Sequence, residues 1–257
     1  MNDKNLAAMG RELALIVEEA AKVILPFWRT ELDVVRKADE SPVTEADKAG
    51  EKVILARLAE RFPEIPAISE EHACEFGTPD SIGPRFFLVD PVDGTKAFVR
   101  GDPNFTVNIG LIENGAPVAG AVCAPATGEV WFTTGEGAAK REGPDGVETP
   151  IHARPWPAQA LALVSHTMKE ERAAELAAQY GFTLRAPMDS SIKMVRIAEG
   201  AADIYPRHGP TMEWDTAAGH AVLVAAGGRF TTPEGEPFLY GKADQGFRNG
   251  WFVARGA

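Results

Sequence analysis

The stretch Phe86-Phe-Leu-Val-Asp90-Pro-Val-Asp93-Gly-Thr-Lys-Ala-Phe98 decides the reading of this chain. An apolar run that ends abruptly in acid has the pattern of a buried strand arriving at a site. Asp90 and Asp93 flank a proline, which fixes φ and removes one backbone donor. The Val92 carbonyl is then free to point at whatever the carboxylates bind. Gly94 permits a tight turn, and Thr95 stands where a short helix would begin. Carboxylates and a carbonyl at one point are oxygen ligands for a hard cation such as Mg²⁺. A helix N-terminus beside them offers backbone N–H groups to a phosphate. An Asx-turn and a helix cap would explain a lone Asp-Gly pair. They do not explain paired acids and a proline on the end of a hydrophobic strand, so the stretch reads as a metal-phosphate site.

Asp90-Pro-Val-Asp-Gly-Thr95 resembles the Asp-Pro-(Ile/Leu)-Asp-Gly-Thr signature of the lithium-sensitive, Mg²⁺-dependent phosphatases, the inositol monophosphatase and 3′(2′),5′-bisphosphate nucleotidase superfamily. Trp214-Asp-Thr-Ala-Ala-Gly219 resembles the second signature of that superfamily. The resemblance implies the five-layered αβαβα sugar-phosphatase fold.

Outward from this centre, a chain of 257 residues can bury a good core, as one large domain or two closely packed halves. A formal charge of −11 argues against nucleic acid as partner, because binding it wants a broad basic face. It leaves room for a small anionic substrate, since bound cations invert a local field. There is no apolar signal segment at the N-terminus and no apolar run of membrane-spanning length. Cys74 and Cys123 lack metal-site spacing and form no disulfide framework. A cytoplasmic protein is expected, as a monomer or homodimer.

Leu6, Met9, Leu13, Ile16, Ala20, Ile24 and Phe27 recur at helical spacing and predict a long amphipathic helix that Pro26 ends or kinks. Val34 to Lys37 reads as a short strand. Thr44-Glu-Ala-Asp47 resembles a capping box that opens a second helix, stopped by Pro63. Ala67 to Ser69 is a short strand that runs into Glu70-Glu71, and Cys74 to Arg85 reads as a surface loop. Strands follow at 105–112, 117–124 and 129–134, with Asn114-Gly115 as a hairpin turn. The Gly- and Pro-bearing loop 143–157 is the best boundary, giving an N-terminal half over 1–145 and a C-terminal half over 146–257. In the second half strands and helices alternate, with helices expected at 169–180, 190–199 and 214–226 and strands at 161–165, 183–186, 203–205, 229–231 and 251–254. Such interleaving suggests layered α and β structure around buried sheets.

Glu70 follows a strand as Asp90 does, which points to one shared sheet edge. Asp215 falls in the first turn of a helix rich in small residues, where an acid also suits the helix dipole. Asp47 has the same ordinary explanation as a capping-box acid. The resemblance implies more. Glu70, Asp90, the Val92 carbonyl, Asp93 and Asp215 become the ligands of two or three Mg²⁺ ions, and Asp47 and Thr95 become the pair that orients the attacking water. Direct hydrolysis by metal-activated water follows, without a phospho-enzyme.

Asp189-Ser-Ser-Ile-Lys193, Ala198 to Arg207 and Glu213 to His220 resemble the bacterial bisphosphate nucleotidase branch of the superfamily, CysQ type. Those enzymes remove the 3′-phosphate from adenosine 3′,5′-bisphosphate, a by-product of sulfate assimilation. Ser190 as N-cap with Lys193 one turn on would present a hydroxyl, backbone donors and a cation to an anion. Arg207 could grip a second phosphate. Gly94, Thr95, His166 and Asp215 complete the expected substrate contacts. Ala97 stands where relatives carry an acid, and the loop 99–104 also departs from their pattern. An inositol monophosphatase or histidinol-phosphate phosphatase would share every metal ligand and needs no second phosphate grip. A catalytically inactive, phosphate-binding regulatory relative would show the loss of an acid ligand, yet every one is present.

Overall fold

The computed structural model describes residues 3–30, 35–36, 42–43, 45–135, 137–143 and 146–257. Helix α1 (Asp3–Ile24) runs on into a 3-10 turn at Leu25–Phe27, where Pro26 stops regular hydrogen bonding. Strands β1 (Val35–Arg36) and β2 (Pro42–Val43), paired antiparallel, precede α2 (Glu45–Arg61). Thr44, expected to open the capping box, lies outside the described residues. Next come β3 (Ala67–Ser69), α3 (Glu70–Phe76), β4 (Arg85–Asp93) and the short α4 (Thr95–Val99). Strands β5 (Thr106–Glu113), β6 (Ala116–Ala124), β7 (Glu129–Thr133), β8 (Ala138–Glu142) and β9 (Thr149–Ile151) follow as a meander.

Sequence and structure differ here, and β8 is a strand that the sequence reading did not expect. The expected loop from Cys74 begins inside α3, which Gly77 closes at φ 85°. And β9 pairs with β8, so the first sheet runs past the expected division at 145/146. Both α3 and β9 are short and mostly exposed, so they carry little apolar periodicity to read.

The C-terminal part builds β10 (Leu161–Val164), α5 (Glu170–Tyr180), β11 (Leu184–Pro187), α6 (Ile192–Ala198), β12 (Ile204–Arg207), α7 (Glu213–Ala225), β13 (Arg229–Thr231) and β14 (Phe252–Arg255). The first sheet has the order β3-β4-β5-β6-β7-β8-β9 and the second the order β11-β10-β12-β14-β13. Alternate residues of β4 enter different cores. Phe87 and Val89 pack with Leu13 and Val17 of α1 and with Ile54 of α2. Phe86 and Leu88 join Val195 of α6, Val222 of α7 and Phe252 of the second sheet. A third core sets Ala162, Ile204 and Val253 of the second sheet against Leu176 of α5. The result is five layers in the order αβαβα. A strand buried on both faces must be apolar at nearly every position, which is why β4 reads as an unbroken run. Among the described residues no helix is long and apolar enough to cross a membrane.

Helix α7 lies against β4, β5 and β6. It can do so because Gly110 and Gly120 leave room. A Cβ on Gly110 would stand 2.7 Å from the Ala217 Cβ, and one on Gly120 2.8 Å from the Ala218 carbonyl oxygen. Gly110→Ala should therefore force α7 outward and lower stability by about 1–3 kcal/mol. Urea unfolding of the purified variant measures this, and an unchanged midpoint would refute so close an approach.

Candidate active site

The strand end is shaped by an irregularity in the β4–β5 ladder. Asp90 pairs with Asn108 and Asp93 with Thr106, so an extra residue of β4 is accommodated at Pro91-Val92. Pro91 has no N–H to lose, and the Val92 N–H turns back to Asp90 Oδ1 at 3.0 Å. Gly94 then takes φ 88°, which only glycine adopts at low cost, and a Cβ there would lie 3.0 Å from the Asn104 carbonyl oxygen and the Ser190 Cβ. The Thr95 hydroxyl donates to the Val92 carbonyl at 3.0 Å.

Glu70 at the start of α3, Asp90 in β4 and Asp215 in α7 bring one carboxylate oxygen each to within 4.8 Å of one another. Asp90 is buried and the other two are partly so. Asp215 is held by the Met212 N–H, which donates to its Oδ2 at 2.8 Å. The start of α7 is anchored in turn by fully buried Glu213, which accepts from Gly241 N at 2.7 Å and Lys242 N at 3.0 Å and pairs with Lys242 Nζ at 2.6 Å. Asp93 accepts a hydrogen bond from Ser191 N. Behind it, Ser191 Oγ donates to Asn108 Oδ1 at 2.7 Å and lies 2.7 Å from Thr106 Oγ1.

Burial pushes the Asp93 carboxyl up to about 6, although the Lys193 cation pulls it down. Burial also raises Asp215 well above the ordinary carboxylate range, and the charges of Asp93 and Glu70 push it the same way. Lys193 is lowered to about 8 by burial, with Asp93 opposing. An all-oxygen donor set of crowded, partly desolvated carboxylates fits a hard divalent cation, which would relieve the repulsion that raises these groups.

One cleft of about 630 Å³ unites Glu70, Asp90, Val92, Asp93, Gly94, Thr95 and Asp215 with His166, Ser190, Lys193 and Arg207. Asp47 is buried in the first turn of α2. One turn further, Gly50 comes within 3.5 Å of the Pro91 Cβ when given a Cβ of its own, so this face of α2 is turned toward the bulge. A hydroxyl has a single proton, and Thr95 gives it to Val92, so pairing Thr95 with Asp47 requires that hydroxyl to turn.

Two expected substrate contacts take other forms. Ser190 is not the N-cap of α6. It sits at φ 57°, its Oγ accepts from Ile192 N at 3.2 Å, and Ser191 is the residue that precedes the helix. Lys193 is only 3% exposed, and its Nζ donates to Ser190 O and to Met188 O at 3.2 Å. Its donors hold the turn together, and its charge faces Asp93. Arg207 is better placed: NH2 donates to Pro210 O at 3.1 Å while its buried Nε meets no hydrogen-bond partner among the described residues. The sequence reading missed Arg100, Asp189 and the Thr106–Asn108–Ser191 cluster. Alternating polar residues in β5 could have signalled the cluster, whereas a lone loop arginine gives no signal.

Five layers with a carboxylate cluster at the strand ends define a protein of the sugar-phosphatase fold class. Residues 6–251 match the inositol monophosphatase family, and the chain belongs to it. The "3′(2′),5′-bisphosphate nucleotidase CysQ" of Escherichia coli K12 is 42% identical over 212 residues, 81% of this chain and 83% of that one. The protein of that name from Buchnera aphidicola is 34% identical over 246 residues, 95% and 92% of the two chains. The crystal structure of CysQ from Bacteroides thetaiotaomicron superposes with a TM-score of 0.78 at 32% identity, covering 98% of this chain and 97% of that one. An inositol monophosphatase from Zymomonas mobilis superposes with a TM-score of 0.75 at 25% identity, covering 95% and 91%.

A carboxyl whose folded-state pKa is raised leaves the folded protein holding more protons than the unfolded chain, so stability falls as pH rises. For Asp93 the fall spans pH from about 3.8 to about 6, and above that the cost is fully present. Asp215→Asn keeps an acceptor for Met212 N but removes the charge. Without divalent cations it should raise the melting temperature at pH 7 and leave the value at pH 4 nearly unchanged. A lower melting temperature at pH 7 would mean that the charge is not a cost to the fold.

Proposed function

We propose that this chain is a Mg²⁺-dependent, lithium-sensitive 3′(2′),5′-bisphosphate nucleotidase that hydrolyses the 3′-phosphate of adenosine 3′,5′-bisphosphate to give AMP and phosphate. The observation that carries the proposal is a single cleft with a carboxylate cluster on one wall and, on another, an arginine whose buried Nε has no hydrogen-bond partner among the described residues. A substrate with two phosphates asks for both. The E. coli and Buchnera relatives that bear the nucleotidase name support the same substrate class. The two free cysteines suit a cytoplasmic setting.

We assign Glu70, Asp90, the Val92 carbonyl, Asp93 and Asp215 to the cations. When bound, Mg²⁺ would neutralise phosphate charge and acidify water. The chain's own groups supply the geometry. Asp90 is fixed by Val92 N and Asp215 by Met212 N, so the ligands are held before substrate arrives. The Thr95 oxygen, its proton on Val92 O, can accept from the attacking water, and Asp47 can hold that water's other proton. Attack at phosphorus forms the bond to the water oxygen as the bond to the ribose 3′-oxygen breaks, and that oxygen leaves as the 3′-hydroxyl after taking a proton from solvent. Ser191 N keeps Asp93 in place throughout, and Lys193 balances its charge from behind. Arg207 is the donor assigned to the phosphate that is not cleaved.

Phosphate release from adenosine 3′,5′-bisphosphate, inositol 1-phosphate, fructose 1,6-bisphosphate and histidinol phosphate tests the assignment. The nucleotide should give the highest kcat/KM, and a preference for inositol 1-phosphate would overturn it. EDTA should abolish turnover and Mg²⁺ restore it, while Li⁺ should inhibit. Asp90→Asn should remove activity with the fold intact by circular dichroism. Arg207→Ala removes a charge-assisted contact of about 1.5–3 kcal/mol, so KM for the bisphosphate should rise about ten- to a hundredfold. An unchanged KM would take Arg207 out of the substrate site.

A further inference from the structure

At the mouth of the cleft the Asp189 carboxylate joins two walls. Arg100, at the C-terminal end of α4, donates from NH2 to Asp189 Oδ2 at 2.7 Å. From the other side, His166 Nδ1 lies 3.2 Å from Asp189 Oδ1. All three residues line the cleft.

The loop that carries Arg100 is tightly fixed. Gly101 N donates to Phe98 O at 2.9 Å and Asp102 N to Ala97 O at 3.0 Å. Asn104 N and Nδ2 both donate to Asp102 Oδ1, at 2.9 and 2.7 Å. Arg29 Nε donates to Gly101 O at 3.2 Å. A Cβ on Gly94 would lie 3.0 Å from the Asn104 carbonyl oxygen, so the loop sits close over the turn that follows the bulged motif. The backbone is pinned while the Arg100 side chain is 52% exposed.

The cations of this cleft differ in what they can offer a ligand. Lys193 is enclosed and committed to two carbonyls. Arg100 instead holds a carboxylate at the rim, in an ion pair exposed enough to be exchanged. A guanidinium fork that accepts one carboxylate fits phosphate oxygens equally well. Left unpaired, the Asp189 charge at the mouth would repel a polyanion. His166 can keep hold of it.

We propose that Arg100 is a specificity-determining residue for substrates with a second phosphate, exchanging the Asp189 carboxylate for that phosphate as the ligand enters. The proposal rests on the nucleotidase reading, because a monophosphate has no group to take part in the exchange. Arg207 faces the cleft from the end of β12 and Arg100 from the end of α4, so the two would hold the uncleaved phosphate from different walls.

Steady-state kinetics on adenosine 3′,5′-bisphosphate and adenosine 3′-phosphate test it, since these differ only in the second phosphate. Wild type, R100Q, D189N and the double variant are compared. R100Q should raise KM for the bisphosphate roughly ten- to a hundredfold with little change in kcat, and leave KM for the monophosphate within about twofold. Most of that penalty should persist when R100Q is made in the D189N background. An equal rise on both substrates would overturn the proposal by assigning Arg100 to the metal site or the fold. Loss of the penalty in the D189N background would overturn it by reducing Arg100 to a counter-charge for Asp189. Failure of the wild type to hydrolyse the bisphosphate would defeat the nucleotidase reading and this proposal together, an outcome distinct from a defect confined to R100Q.

Discussion

Carboxylates repel one another, and this fold gathers Glu70, Asp90 and Asp215 to within 4.8 Å in a partly buried place. Nothing in hydrophobic burial favours that arrangement. It persists because the surrounding structure over-determines it, as expected where strain or repulsion serves a site. Three separate elements deliver the acids: the start of α3, the bulged end of β4 and the first turn of α7. Two of the deliveries are anchored by backbone N–H donors, Val92 N on Asp90 and Met212 N on Asp215. A cation turns the repulsion into attraction, so the same geometry that costs stability when empty of charge partners becomes a strong binding site.

The layered architecture serves that delivery. Strand β4 is buried on both faces and cannot shift register without moving an apolar set into the wrong core. Gly110 and Gly120 let α7 settle onto the sheet, which sets the depth of Asp215. On the other side of the cleft, α6 is tied to the first sheet through Arg196, whose NH1 and NH2 donate to Glu129 at 3.0 and 2.6 Å. That tie places Ser191 N against Asp93. The substrate side of the cleft and the cation side are therefore coupled through Ser191, whose N–H donates to Asp93 and whose Oγ meets Asn108 and Thr106.

Much of this was legible in the sequence. Asp90-Pro-Val-Asp93 announced itself because acid at the end of an apolar strand has no structural excuse, and every strand of the meander from 105 to 134 carried apolar runs bounded by turn residues. Two strands that both end in acid already pointed Glu70 and Asp90 to one sheet edge, whereas Asp215 joined them only through resemblance, since residues so far apart in sequence meet by topology alone. What stayed hidden follows a physical rule. Helix α3 and strand β9 are too short for a period to emerge. The roles of Ser190 and Lys193 turned on one backbone angle at Ser190 and on the burial of a lysine, neither of which leaves a trace in residue order. Arg100 and Asp189 meet across 89 positions at the rim of the cleft, where sequence carries no pattern at all.

The central claim is that these acids form a cation site on which the chemistry depends. Diffraction from crystals soaked in Mn²⁺, collected at the manganese edge, tests it most directly. The account predicts anomalous peaks bounded by Glu70, Asp90 and Asp215, and their loss in crystals of Asp90→Asn. Mn²⁺ bound elsewhere, or no peak in the cleft of crystals whose protein turns over substrate with Mn²⁺, would contradict it.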